Sequence, residues 1–85
     1  MLSDLENWEL IDGGKAISRT FVLEDFQSAL GFVNRVGELA EQADHHPDIR
    51  IFDYKKVEIR LTSHDVGKVT SRDTELAKGI DELSV

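Results

Sequence analysis

Cysteine is absent from the chain. Its absence excludes a disulfide framework, a thiolate metal site and a cysteine nucleophile together, and it is compatible with a reducing compartment, so a cytoplasmic protein is expected. Proline occurs once, at Pro47, and no abrupt shift of composition marks a linker, so residues 1–85 are expected to form one domain. No run approaches the roughly 20 apolar residues that a membrane span requires. The first seven residues lack a basic start followed by an apolar stretch, so neither membrane insertion nor secretion is expected. Positive charge is scarce: 10 Lys and Arg stand against 17 Asp and Glu, for a formal net charge of -7. The basic residues are scattered singly or in pairs such as Lys55-Lys56, and without a basic face to neutralise phosphates direct nucleic-acid binding is disfavoured. A chain of 85 residues also has a thin core, so self-association is expected as a way of burying more surface.

Two of the six glycines stand together at Gly13-Gly14. With Asp12 they separate Trp8–Ile11 from Lys15–Leu23 and read as a tight turn between two short strands, because glycine supplies the positive φ of such turns. In the second strand Ile17, Arg19, Phe21 and Leu23 share one face, and Ala16, Ser18, Thr20 and Val22 share the other. Neither face is purely apolar, which leaves the register weakly specified.

From Glu24 to Asp44 the apolar residues Phe26, Ala29, Leu30, Val33, Val36, Leu39, Ala40 and Ala43 recur at three- and four-residue steps, the pattern of one buried helical face. Glu24 and Asp25 sit at its positive end, and Asp44-His45-His46-Pro47 ends it, since proline disfavours helix in the residue before it. A second hairpin follows, with Ile49–Phe52 and Val57–Leu61 as strands, Asp53 to Lys56 as the turn, and Thr62, Ser63 and His64 completing the last strand. After a loop from Asp65 to Val69, Thr70 and Asp73 match a capping box, and Leu76, Ala77, Ile80 and Leu83 form the stripe of a final helix. The order β-β-α-β-β-α predicts an α+β domain: a four-stranded antiparallel sheet with helices packed on one face and the other face open.

All three histidines fall at element boundaries, outside the apolar stripes. Placement alone does not separate chemistry from the ordinary collection of polar residues in loops. Histidine nevertheless titrates nearest to neutral pH, so a cluster can hold one neutral imidazole as base and one imidazolium as acid. Adding or removing water needs that pair, and Glu41, Asp44, Asp65 or Asp73 are near enough in sequence to orient the rings. A zinc site is the rival use, but adjacent His45-His46 cannot easily turn both rings toward one ion. Glu41 and His45 have i, i+4 spacing, so Glu41 is the expected partner of His45 if the helix persists that far. Asp73 has two equal readings, helix cap and site residue. Phe21, Phe26 and Phe32 are expected in the core rather than at a ligand, and Trp8 either over the sheet edge or on a partner surface.

Taken together, Glu41, His45-His46-Pro47, Tyr54, His64 and Asp73 stand at spacings that resemble the signature of the pterin-4a-carbinolamine dehydratases. The resemblance runs from Trp8 to the last helix. It implies dehydration of 4a-hydroxytetrahydropterin to quinonoid dihydropterin, which recycles the pterin after aromatic amino-acid hydroxylation and so makes a hydroxylase a pathway partner. It implies His45, His46 and His64 as catalytic, pterin-contacting residues, with Glu41, Asp44, Pro47, Thr62, Ser63, Asp65 and Asp73 around the substrate. No metal or organic cofactor is implied, and a homodimer or homotetramer is. Some members serve instead as dimerisation partners or assembly factors, which leaves an interaction module as the alternative. Two departures stand out. Members usually carry a helix before the tryptophan, so here that helix is expected to be missing or reduced to a turn. Gly67-Lys68-Val69-Thr70 stands where Gly-Gly-Leu-Thr is common, which bears on the loop's conformation.

Overall fold

The structure, a computed structural model, describes residues 5–83. Its elements run β1 (Glu9–Ile11), β2 (Ala16–Val22), α1 (Phe26–Ala43), β3 (Asp48–Phe52), β4 (Lys56–Leu61) and α2 (Ser71–Leu83). The strands form one antiparallel sheet in the order β1-β2-β4-β3. The α+β order expected from the sequence is therefore the order found. Asp12–Gly14 forms a short 3-10 turn between β1 and β2 in which Gly13 has φ 65° and Gly14 φ 90°, values that fit glycine.

The weak register of β2 is settled by its neighbour. Ile17 lies opposite Leu61, Arg19 opposite Ile59 and Phe21 opposite Val57, which places the apolar positions of both strands on the side covered by the helices. Ile17, Phe21, Val57, Ile59 and Leu61 pack there against Ala29, Phe32, Val36 and Ala40 of α1 and Leu76, Ala77 and Ile80 of α2. Phe21 bridges the layers, 4.8 Å between ring centroids from Phe32 and 6.2 Å from Trp8 in an edge-on arrangement. Each such aromatic pair adds about 0.5–1.5 kcal/mol beyond area burial.

The other face carries alternating side chains of opposite charge. Arg50 faces Glu58, and Arg60 reaches both Asp48 and Asp12.

Several boundaries differ from expectation. Asp25 lies outside α1 as its N-cap, its Oδ1 accepting from the Ser28 N–H at 2.7 Å. The buried stripe of α1 is Ala29, Phe32, Val36 and Ala40. Phe26 and Leu30, expected on that stripe, are 49% and 38% exposed, because packing on the sheet selects a face rotated away from them. Strand β4 ends at Leu61 rather than continuing to His64. Ser63 instead bridges to Lys68, and residues 63–68 close a turn whose Gly67 has φ 66°. The chain before Trp8 makes a turn, with the Trp8 N–H donating to the Leu5 carbonyl at 2.9 Å. Of the two placements expected for Trp8 neither describes it: it is buried in the core and its Nε1 donates to Asp81 of α2.

Candidate active site

Helix α1 stops because Asp44 adopts a left-handed conformation (φ 50°, ψ 43°) and the His45 N–H turns back to the Ala40 carbonyl at 3.1 Å. This is a Schellman-type ending, with aspartate where glycine is more usual. The reversal carries His45 inward. The ring is buried, and its Nε2 lies 2.5 Å from Oδ1 of Asp73 in the first turn of α2. His46, one residue on, is exposed and pairs through Nε2 with Oε2 of Glu41. The i, i+4 spacing suggests Glu41 as the partner of His45, but the structure pairs it with His46. The helical geometry behind that spacing ends at Ala43.

Asp73 is fully buried and unites the two roles between which its sequence position does not choose. Its Oδ2 accepts from the Thr70 N–H at 2.9 Å, closing the capping box, and from the Ser63 hydroxyl at 2.7 Å. Its Oδ1 meets His45. Ser63 is likewise fully buried, its hydroxyl held between Asp73 and the Thr70 hydroxyl. Next to it His64 is exposed in the turn that follows β4. Asp65 bonds Arg72 at 2.6 Å, and this contact holds its carboxyl below the ordinary aspartate value, with the charge of nearby His45 a minor contribution.

The remaining expected residues are distributed unevenly. The Thr62 hydroxyl donates to the Lys15 carbonyl at 2.5 Å. Asp44 is exposed and Pro47 half-buried, both in the exit from α1. Tyr54, part of the sequence signature, is exposed in the β3–β4 turn with φ 51°. That turn lies at the opposite end of the hairpin from His46 and His64, which flank the open ends of β3 and β4. Sequence reasoning missed Arg72 and the hydroxyl of Thr70. The capping-box pattern was their one signal, since it fixes the start of α2.

Beside His45 a groove of about 480 Å³ runs between α1 and α2, with Leu39, Ala43 and Leu76 as apolar wall and Gln42, Arg72 and Glu75 as polar residues. Its size falls in the range of small-molecule sites. Among the described residues no group of three His, Asp or Glu is arranged to hold a metal ion. Nor is any described helix long and apolar enough to cross a membrane.

The structure is thus an α+β domain in which two adjacent histidines each pair with a carboxylate, His45 with Asp73 and His46 with Glu41. The chain belongs to the pterin 4 alpha carbinolamine dehydratase family, whose model matches residues 1–83. A protein of Afipia carboxidovorans, provisionally named pterin-4-alpha-carbinolamine dehydratase, is 47% identical over 83 residues, which cover 98% of this chain and 82% of that one. A protein of Sulfurisphaera tokodaii with the same provisional name is 45% identical over 82 residues, 96% of this chain and 85% of that one. Among solved structures, a transcriptional coactivator/pterin dehydratase from Brucella melitensis superposes with a TM-score of 0.91 at 33% identity, covering 99% of this chain and 88% of that one. A pterin dehydratase-like protein identified as a RuBisCO assembly factor in the alpha-carboxysome shares the fold, with a TM-score of 0.77 at 19% identity over 92% of this chain and 89% of that one.

Proposed function

We propose that this protein dehydrates 4a-hydroxytetrahydropterin to quinonoid dihydropterin, with His45, His46 and His64 as its acid and base residues. The carrying observation is the pairing of two adjacent histidines with separate carboxylates, His45 with buried Asp73 and His46 with exposed Glu41. A carboxylate fixes the orientation and tautomer of a ring and favours its charged form, which is what general acid–base work requires. The reaction breaks the C4a–O bond. An imidazolium gives its proton to the departing hydroxyl, which leaves as water, while a neutral imidazole takes the proton from the adjacent ring nitrogen. His64, exposed one residue beyond the buried Ser63, supplies a third titrating ring at the edge of the same network. Asp44, Pro47, Thr62 and Asp65 surround these rings in sequence and complete the proposed substrate site. The reading places the protein in pterin recycling in the cytoplasm, beside an aromatic amino-acid hydroxylase. Purified protein should accelerate carbinolamine dehydration at neutral pH, and failure to exceed the spontaneous rate would falsify this.

A second reading, an interaction module on the same fold, is favoured by the exposure of Phe26 and Leu30 one turn apart on the outer side of α1. The same two residues support a homodimer or homotetramer. Stoichiometric binding of one purified protein partner, unchanged by His64→Ala, would support the module; sedimentation as a monomer would remove the oligomer.

A further inference from the structure

The buried bonds around Asp73 have a direction. The Ser63 hydroxyl donates to Oδ2, so its single proton is used there, and the 2.8 Å contact between Ser63 Oγ and Thr70 Oγ1 requires Thr70 to be the donor. Thr70 Oγ1 in turn accepts from the Arg72 N–H at 3.3 Å. The Thr70 N–H can only donate, and it too points at Oδ2, at 2.9 Å. Every one of these groups therefore delivers a hydrogen toward the same carboxylate, which suits an ionised Asp73 that accepts on both oxygens. With Oδ2 saturated, Oδ1 is left to accept from His45 Nε2. The neutral ring must then carry its hydrogen on Nε2, which leaves Nδ1 as the nitrogen that gains or loses a proton.

We infer that Ser63 and Thr70 are positioning residues that fix the tautomer of His45 through Asp73. The inference rests on the proposed acid–base role of His45 and adds the atom through which it acts, Nδ1. Neither hydroxyl touches substrate in this scheme. Ser63 is fully buried, and its oxygen is occupied on one side by Thr70 and on the other by Asp73. A chain of donors polarised in one direction strengthens each bond in it. Losing one hydroxyl leaves the Thr70 N–H as the remaining firm donor to Oδ2 and so loosens the carboxylate's hold on the ring.

The test is the ring nitrogen spectrum of His45, followed by long-range proton–nitrogen NMR at a pH where the ring is neutral. The native protein should show His45 with hydrogen on Nε2. Ser63→Ala and Thr70→Val should each move it toward a mixture of tautomers, while Ser63→Thr and Thr70→Ser, which keep the hydroxyl, restore the native pattern. His46 serves as the internal control, since its carboxylate partner is Glu41. In turnover, Ser63→Ala should lower kcat about tenfold with little change in KM, by analogy with the losses seen when a partner that orients a metal-bound histidine is removed. A His45 ring unchanged in both hydroxyl-deleted variants overturns the inference. If Ser63→Ala fails to fold, the Thr70→Val and Thr70→Ser pair decides alone. A shifted tautomer with full turnover overturns the acid–base role of His45 and leaves the positioning intact, so the two failures are distinguishable.

Discussion

Asp73 Oδ1 and His45 Nε2 lie 2.5 Å apart although 28 residues separate them in the chain, and the carboxylate is completely buried. An asparagine at this position has the same shape, but with its oxygen toward the Thr70 N–H and the Ser63 hydroxyl its N–H₂ faces His45 Nε2, which can accept only in the other tautomer. Asp73→Asn should therefore lower stability by about 1 kcal/mol, the difference between charge-assisted and neutral hydrogen bonds, as read from the urea midpoint. Its kcat should fall at least 100-fold, because loss of the carboxylate in a comparable His–Asp pair lowers rates by up to about 10⁴ through the wrong tautomer. Near-native turnover in a folded Asp73→Asn protein would exclude His45 from the chemistry.

The pair formed by Glu41 and His46 is exposed on both sides. Surface ion pairs contribute about 0–1 kcal/mol. Glu41→Gln should accordingly leave the unfolding midpoint almost unchanged while lowering kcat/KM by a few-fold, so that activity falls without the loss of stability that Asp73→Asn gives. An equal loss of both would show that Glu41 is structural.

Asp25 and Asp65 contribute to the acid response. The Ser28 N–H lowers the Asp25 pKa from its ordinary 3.8, and the Arg72 guanidinium lowers that of Asp65. A depressed folded pKa means the folded state binds the proton more weakly than the unfolded one. The stabilisation is present above the ordinary value and is lost as pH falls through the lowered one. Asparagine is also a good N-cap. Asp25→Asn should thus keep the neutral-pH stability and flatten the decline below pH 3.8, whereas Asp25→Ala should lose stability at neutral pH as well. Urea titrations at pH 7 and pH 3 separate these outcomes.

Trp8 is the one tryptophan of the chain and is 5% exposed, with Nε1 bonded to Asp81 at 2.9 Å. Arg19, stacked on Phe21, bonds the same carboxylate oxygen at 2.7 Å. Asp81→Ala should red-shift the Trp8 emission and cost about 1–3 kcal/mol, since it leaves two donors without their acceptor. Unshifted emission would mean that packing on Phe21 alone fixes the indole.

How far the site was legible depends on the kind of signal each residue carries. His45, His46, His64 and Asp73 could be singled out because their types and spacings are local facts of the chain. Their pairing could not. Glu41 was the natural partner of His45 by helical spacing, and it lost that place because Asp44 turns left-handed and ends the helix one residue too soon. The stripe of α1 shows the same division. Its apolar periodicity announced a helix, but Phe26 and Leu30 satisfied that periodicity as well as Ala29 and Val36 did, and docking on the sheet chose between them.

By itself, the sequence determined the order of elements, the alternation of β4 and the identity of the titrating residues, because period-2 and period-3.6 patterns and turn chemistry act between near neighbours. Tertiary structure decided the register of β2 on β4, the burial of Trp8 and the assignment of Asp73 rather than Glu41 to His45. Those choices depend on contacts between residues far apart in the chain, which exist only once α1 has ended and both helices lie against the same face of the sheet.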